Sequence, residues 1–253
     1  MLPEQRREAI LEYIKIHKNV AGGELARHFR VTEETIRKDL IALNDRGFIM
    51  RTFGGAFLRD DYDPPLAQRT IANLKEKEAI ARKAAEYIGY GDCVVLDAGS
   101  TVIELAKKLR ENLELVALTN SLEIINVLSG REGISVISSG GTLMAKSMSF
   151  CGSLAEYSLT SYNIQKAFIS AIGVSLEEGV MESNERQALF KRKVVELAKE
   201  VTVLVDHTKF GKMAHETVCR LDRVRRIVTD GGIDPNVLSL YREAGAEVVI
   251  ADN

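Results

Sequence analysis

Cysteine is scarce and odd in number: Cys93, Cys151 and Cys219 stand far apart in a chain of 253 residues. Such a set suits a reducing compartment, supplies no disulfide framework and has no zinc-ligand spacing. The four histidines make no metal pattern either. No apolar run approaches the ~20 residues that cross a bilayer, which excludes an integral helical membrane protein. The opening Met1-Leu2-Pro3-Glu4-Gln5-Arg6-Arg7 runs into charge where a secretory signal would turn apolar, so a cytoplasmic location is expected. Repeats, low-complexity tracts, both glycine-rich nucleotide loops and the serine-hydrolase elbow are also missing. No cofactor or metal is therefore expected.

What is there is an ordinary globular composition, 45% hydrophobic and 28% charged. The net charge of −2 hides an asymmetry, since residues 1–59 carry 11 Lys and Arg against 8 Asp and Glu. A small basic head on a larger acidic body points to an anionic partner at one end.

The head has helical rhythm. Ile10, Leu11, Ile14 and His17 mark one amphipathic helix, and Leu25, Ala26 and Phe29 mark a second, from Gly23 to Phe29. After Arg30-Val31, Thr32 can cap a third helix whose first turn holds Glu33 and Glu34, where the helix dipole favours negative charge. That helix runs to about Arg46 and stops at Gly47, with Ile36, Leu40 and Leu43 inward and Glu34, Arg37, Lys38 and Ile41 on or near the opposite side. The stretch 48–57 reads as two short strands around a turn. Together these match a winged helix-turn-helix, in which the last helix enters the major groove. The DNA contacts expected are Thr32, Thr35, Arg37, Lys38 and, from the wing, Arg51. The plainer reading is a solvated charged face. Asp39 is expected to anchor its helix, through Thr35 or a nearby arginine.

Residues 59–75 open with Arg59-Asp60-Asp61-Tyr62-Asp63-Pro64-Pro65 and read as a linker between a head at 1–58 and a body at 76–253. In the body, a helix over Glu76–Ile88 is followed by strands at 93–96, 115–118, 135–137, 167–169, 201–205, 226–228 and 248–250. Helices fall between them at 101–109, 122–128, 154–159, 184–198 and 235–244. This alternation predicts an α/β, Rossmann-like domain with a mainly parallel sheet covered on both faces. Ligands bind beyond the carboxyl ends of such strands. Those ends hold Asp97, Gly99, Ser100 and Thr101; Thr119 and Asn120; and Ser139, Gly140 and Gly141. Such turns also serve for capping, but three in succession favour a bound phosphate. Asp206 and Lys209 end a later strand, where they can hold sugar hydroxyls and phosphate or simply pair with each other. Glu185 is a further ligand contact or a first-turn charge. Lys166 opens a strand and faces either the site or solvent. Cys151 has a redox or a packing reading.

The run Thr32-Glu33-Glu34-Thr35-Ile36-Arg37-Lys38-Asp39-Leu40, with Arg51-Thr52-Phe53-Gly54-Gly55-Ala56, resembles the DeoR family of bacterial transcription regulators. Family members often have His at the place of Phe53. Asp97-Ala98-Gly99-Ser100-Thr101, Thr119-Asn120-Ser121, Ser139-Gly140-Gly141, Ser149-Phe150-Cys151-Gly152 and Asp206-His207-Thr208-Lys209-Phe210-Gly211 resemble the sensor domain of that family. The resemblance covers nearly the whole chain. It implies a fold related to ribose-5-phosphate isomerase and a phosphorylated sugar as effector. It also implies a repressor of carbohydrate use that binds operator DNA as a homodimer or higher homo-oligomer. Members often carry Asp where Gln165 stands and Gly where Ser170 stands, on the strand expected to face the pocket. The alternative is a phosphosugar isomerase with an accessory head. Against it, the stretch Ile169-Ser170-Ala171-Ile172-Gly173-Val174 offers no carboxylate as a base, so no enzyme is expected.

Overall fold

The computed structural model describes residues 2–252 except 18, 47, 52–53 and 59–64. The expected helix stop at Gly47, the wing position Phe53 and most of the acidic linker lie outside the described residues. The chain divides into two compact units, Met1–Pro64 and Pro65–Asn253.

The first unit runs α1 (Pro3–His17), β1 (Asn19–Ala21), α2 (Gly22–Phe29), α3 (Glu33–Asp45), β2 (Ile49–Arg51) and β3 (Gly55–Leu58). Its core is the predicted apolar stripe: Ile10 and Ile14 from α1, Leu25 and Ala26 from α2, Ile36, Leu40 and Leu43 from α3. Each of the isoleucine and leucine side chains, fully buried, contributes about 1.5–3 kcal/mol. The wing is the antiparallel β2–β3 pair, but a third strand, β1, pairs with β3 on its other side. Sequence periodicity missed β1 because three residues are too few to alternate visibly. Gly55 lets the two backbones meet: a Cβ there would lie 2.1 Å from the Val20 carbonyl oxygen.

The second unit begins inside the stretch expected to be linker. Leu66–Ile71 is a helix (α4), and the following helix, α5, starts at Leu74 and ends at Ala85. Leu66 is buried, and its N–H donates to the Lys146 carbonyl. Then come β4 (Cys93–Leu96), α6 (Ser100–Lys108), β5 (Leu115–Thr119), α7 (Leu122–Leu128), β6 (Ile134–Ser138), β7 (Thr142–Met144), β8 (Ser149–Cys151) and α8 (Ser153–Ser158). The chain continues with β9 (Lys166–Ser170), β10 (Gly173–Ser175), β11 (Gly179–Glu182), α9 (Glu185–Leu197), β12 (Glu200–Leu204), β13 (Glu216–Cys219), β14 (Arg226–Asp230), α10 (Pro235–Glu243) and β15 (Val248–Ala251).

Seven strands, at the seven predicted places, form one sheet in the order β15-β14-β12-β9-β4-β5-β6. Every pairing in it is parallel. Alternate residues point to opposite layers, as the two-residue period of a strand requires. Val94, Leu96 and Phe168 join Ile80, Leu105 and Ile124 on one side. Val95, Ala167 and Ile169 join Ala155, Phe190, Val194 and Tyr241 on the other. Short antiparallel additions, β7–β8 and β10–β11–β13, complete the body. From β4 the chain builds outward through β5 and β6, and from β9 through β12, β14 and β15 the other way. The order therefore reverses between β4 and β9, where open α/β sheets hold their ligands.

Candidate functional site

In the head, Thr32 caps α3 as predicted: its hydroxyl oxygen accepts from the Thr35 N–H at 3.2 Å. The two threonine hydroxyls lie 2.9 Å apart. Asp39 is 1% exposed and anchors α3 through arginines, not through Thr35. Arg6 Nε donates to it at 2.6 Å and Arg7 Nε at 3.1 Å, both from α1. With Asp39 neutralising two arginines inside, the cations left outward on α3 are Arg37 and Lys38, both exposed. Arg37 forms a two-pronged pair with Glu34, at 2.7 and 2.8 Å. Arg51 is exposed on β2, its N–H directed at the Asn44 carboxamide oxygen at 3.4 Å. The five residues expected to meet DNA thus fall at the start of α3 and on the wing.

In the body, strand register lines up the carboxyl-end residues. Leu96 is level with Thr119 and Phe168, Thr119 with Ser138, and Leu204 with Ser170. Just beyond, Ser139, Asn120 and Asp97 share one row, Ser170 stands one residue farther along β9, and Asp206 lies two residues past the end of β12. Asp97 is 2% exposed, and its Oδ2 accepts from the Ser170 N–H and hydroxyl, each at 3.1 Å. Behind it lies Lys191 of α9, whose ammonium is 3.4 Å from Asp97 and donates to Glu182 and to the Ser170 carbonyl at 2.8 Å. Burial alone would depress the Lys191 pKa, but Asp97 and Glu182 outweigh it and hold the ammonium above its ordinary value. Sequence reading missed this Asp97–Lys191–Glu182 cluster. The predicted acid on the same helix, Glu185, is exposed in its first turn, whereas the buried carboxylate is Glu182 on β11.

Gly99 caps α6 and packs on Ser170: a Cβ at Gly99 would lie 2.0 Å from the Ser170 hydroxyl oxygen. Ser100 and Thr101 follow, buried in the first turn of α6. Thr119 has a structural task, its hydroxyl donating to the Leu96 carbonyl at 2.6 Å and accepting from the Ser121 N–H at 3.0 Å. Asn120, beside it, is 1% exposed. Its amide donates to the Phe150 carbonyl at 3.2 Å, and its Oδ1 is buried with no hydrogen-bond partner. The Ser139 N–H donates to the Thr119 carbonyl, and Gly140 and Gly141 turn the chain away with φ of 63° and 103°.

Asp206 is buried and accepts from the Thr208 N–H at 3.0 Å and from its hydroxyl. Burial opposes ionisation, yet Lys209, Thr208 and Lys77 together hold its carboxyl below the usual range. Lys77, another residue the sequence reading passed over, is 5% exposed at the start of α5. Its ammonium donates to the carbonyls of Arg69 and Ala72 at the end of α4. Burial drops its pKa to about 8, against the pull of Asp206 and with the help of Lys209 and Arg69.

Two further expectations change, those at Gln165 and Lys166. Gln165 precedes β9 and binds the Cys93 N–H, at the end of the sheet opposite Ser170. Lys166, at that same end, pairs with Asp92 at 2.6 Å. Cys151 is fully buried in β8, and burial pushes its thiol pKa up, which favours the packing reading. Among the described residues no cluster of His, Cys, Asp and Glu could hold a metal, and no helix is long and apolar enough to cross a membrane.

A winged helix-turn-helix head with a parallel α/β body whose polar site lies at the strand-order reversal defines a two-domain transcription regulator with a sensor. Residues 6–61 match the DeoR-like helix-turn-helix domain and residues 72–231 the DeoR C terminal sensor domain. The chain belongs to the DeoR family of transcription regulators. It is 39% identical to the uncharacterised regulator YulB of Bacillus subtilis, over 93% of this chain and 92% of that one. It is 34% identical to the transcriptional repressor AccR of Agrobacterium fabrum, over 98% of both chains. Against the repressor GlcR of Bacillus subtilis it is 32% identical, over 100% of this chain and 98% of that one. Ribose 5-phosphate isomerase A of Methanocaldococcus jannaschii overlaps 56% of each chain at 20% identity, with a TM-score of 0.43. An overlap of that extent bears on neither ligand nor activity.

Proposed function

We propose that this regulator represses a carbohydrate-utilisation operon, holding operator DNA with its head and releasing it when a phosphorylated sugar or related metabolite occupies the sheet edge around β4, β5 and β9. Asn120 carries the reading. Its amide is committed to Phe150, so its buried oxygen is an acceptor waiting for a donor. Such an orphan costs roughly 1–3 kcal/mol, and a ligand hydroxyl would relieve it. The anionic end has support on the other side of Asp97: Lys209 helps to hold the Lys77 pKa down, and a phosphate would offset that repulsion. Ser100 and Thr101, opening α6, add N–H groups and hydroxyls of the kind that hold phosphate. Ligand binding lowers DNA affinity only to the extent that the ligand prefers the non-binding arrangement.

The site is a receptor and not an active site. An isomerase needs a carboxylate free to take a proton from carbon. Asp97 and Glu182 are instead locked onto Ser170, Ser183 and Lys191. Reading a two-fold operator requires at least a homodimer, which sedimentation of the free protein checks. The direct test is calorimetric titration with a panel of sugar phosphates. One of them binds the wild type, Asn120→Leu loses at least ten-fold in affinity for it, and it comes back unconverted. Binding indifferent to Asn120, or turnover to a ketose, would overturn the reading.

A further inference from the structure

Two carboxylates open the recognition helix, and the structure gives them different surroundings. Glu33 lies back over α2, its Oε1 3.2 Å from where a Cβ on Gly23 would stand. Glu34 lies on the outward side, holding Arg37 in the two-pronged pair and 3.9 Å from the Lys38 ammonium. It thus neutralises the two cations best placed to meet DNA. Stability does not explain its presence, because an exposed pair three or four residues apart adds little to a helix. Against a phosphate backbone it is a liability, repelling every sequence alike and withholding Arg37 from contact. What restores that loss is a base presenting a hydrogen-bond donor. In the major groove cytosine does so through its N4 amino group, for which a carboxylate is the matching acceptor. The second position of the helix is also within the turn that approaches base edges in this motif.

We infer that Glu34 is a specificity-determining residue of the recognition helix: it accepts from the N4 amino group of one cytosine per half-site and, by holding Arg37 in the free protein, lowers affinity for unrelated DNA. The inference rests on the head binding DNA through α3. Thr35, whose hydroxyl is tied to Thr32, is left with a neighbouring contact, and Arg37 turns to DNA once Glu34 has its base.

The test is in vitro selection from a random duplex library with the full-length protein and two variants, Glu34→Gln and Glu34→Ala. The wild type fixes a cytosine at one position in each half-site. Glu34→Gln changes that base to adenine, since a carboxamide matches the adenine N6 and N7 pattern. Glu34→Ala leaves the position unspecified, binds random DNA roughly ten-fold more tightly and steepens the salt dependence by about one unit as Arg37 gains a phosphate. Circular dichroism of the variants matches the wild type, because the side chain is exposed. The same motif from all three proteins, or no fixed cytosine in the wild-type motif, would overturn the inference. Failure of the wild type to enrich any sequence would instead remove DNA binding by α3 itself.

Discussion

Replacing Asp39 by Asn tests whether the head is held by its buried carboxylate or merely decorated by it. Asp39 accepts from Arg6 at 2.6 and 3.3 Å and from Arg7 at 3.1 Å while only 1% exposed. Asn keeps the shape and one acceptor but removes the charge that two guanidinium groups share. Breaking a fully buried pair costs about 3–5 kcal/mol. Here the arginine side chains stay 14% and 24% exposed, and water recovers part of that, so about 2 kcal/mol is expected. A loss of that size speeds amide exchange about 30-fold wherever α1 and α3 open together. Hydrogen exchange read by mass spectrometry, on peptides covering 6–16 and 36–43 of the full chain, measures it, with body peptides as internal reference. DNA affinity falls in step, because a loosened α3 no longer presents Arg37 and Lys38. Arg37→Ala supplies the contrast, weakening DNA binding with exchange unchanged. If Asp39→Asn weakened DNA binding while head exchange stayed at the wild-type rate, Asp39 would be a DNA contact and the anchoring argument would fail.

Gly99→Ala forces a Cβ to within 2.4 Å of the Ser170 Cβ and should lower the melting temperature of the body; adding Ser170→Gly, which removes the obstacle, should restore much of it. No recovery in the double variant would show that Gly99 is required for something other than that contact. Lys191→Met leaves Asp97 and Glu182 buried without their cation, at a cost of about 3–5 kcal/mol. A body of this size would lose about 10 °C of melting temperature by differential scanning fluorimetry, and a loss under 2 °C would argue against the cluster as drawn. Lys77 has a folded pKa near 8, below its unfolded value of 10.5, so the unfolded chain binds the proton more tightly between those limits. Its penalty is therefore full below pH 8 and fades as pH rises toward 10.5. The three thiols act oppositely, because burial raises their folded pKa values. The stability of Lys77→Met relative to wild type should accordingly be greatest below pH 8 and shrink by pH 10; a pH-independent difference would count against it.

The elements that emerged from sequence alone were those with a long enough apolar rhythm. The strands of the parallel sheet are apolar runs set between helices, buried except at the edge strand β6, and the inward faces of α1 and α3 repeat every three to four residues. The strands missed, β1, β7, β8, β10, β11 and β13, span three or four residues and are fixed by backbone pairing, which leaves little side-chain signal. Site residues divided in the same way. Asp97, Asn120 and Asp206 stood out because they follow strands directly. Lys191 sits in Lys191-Arg192-Lys193 and Lys77 in Lys75-Glu76-Lys77-Glu78, which look like solvated charge until the fold buries one member of each. Glu182 and Glu185 show the converse: a first-turn position drew attention to the exposed acid, while the buried one lay on a strand too short to recognise. Thr119 was placed correctly at the edge, but whether a hydroxyl faces a ligand or ties two strands together depends on distances that spacing does not encode.

The proposed regulation joins head and body in one device, in which a polar ligand at the β4–β9 edge controls DNA held by α3. It is tested most directly by fluorescence anisotropy on labelled DNA from upstream of the gene, titrated with the sugar-phosphate panel. Wild type, Arg37→Ala and Asn120→Leu are compared. Wild type should bind and be released by one sugar phosphate, Arg37→Ala should bind weakly, and Asn120→Leu should bind tightly without release by the same compound. Release of Asn120→Leu at the wild-type concentration, or a wild-type complex that no member of the panel disturbs, would contradict it.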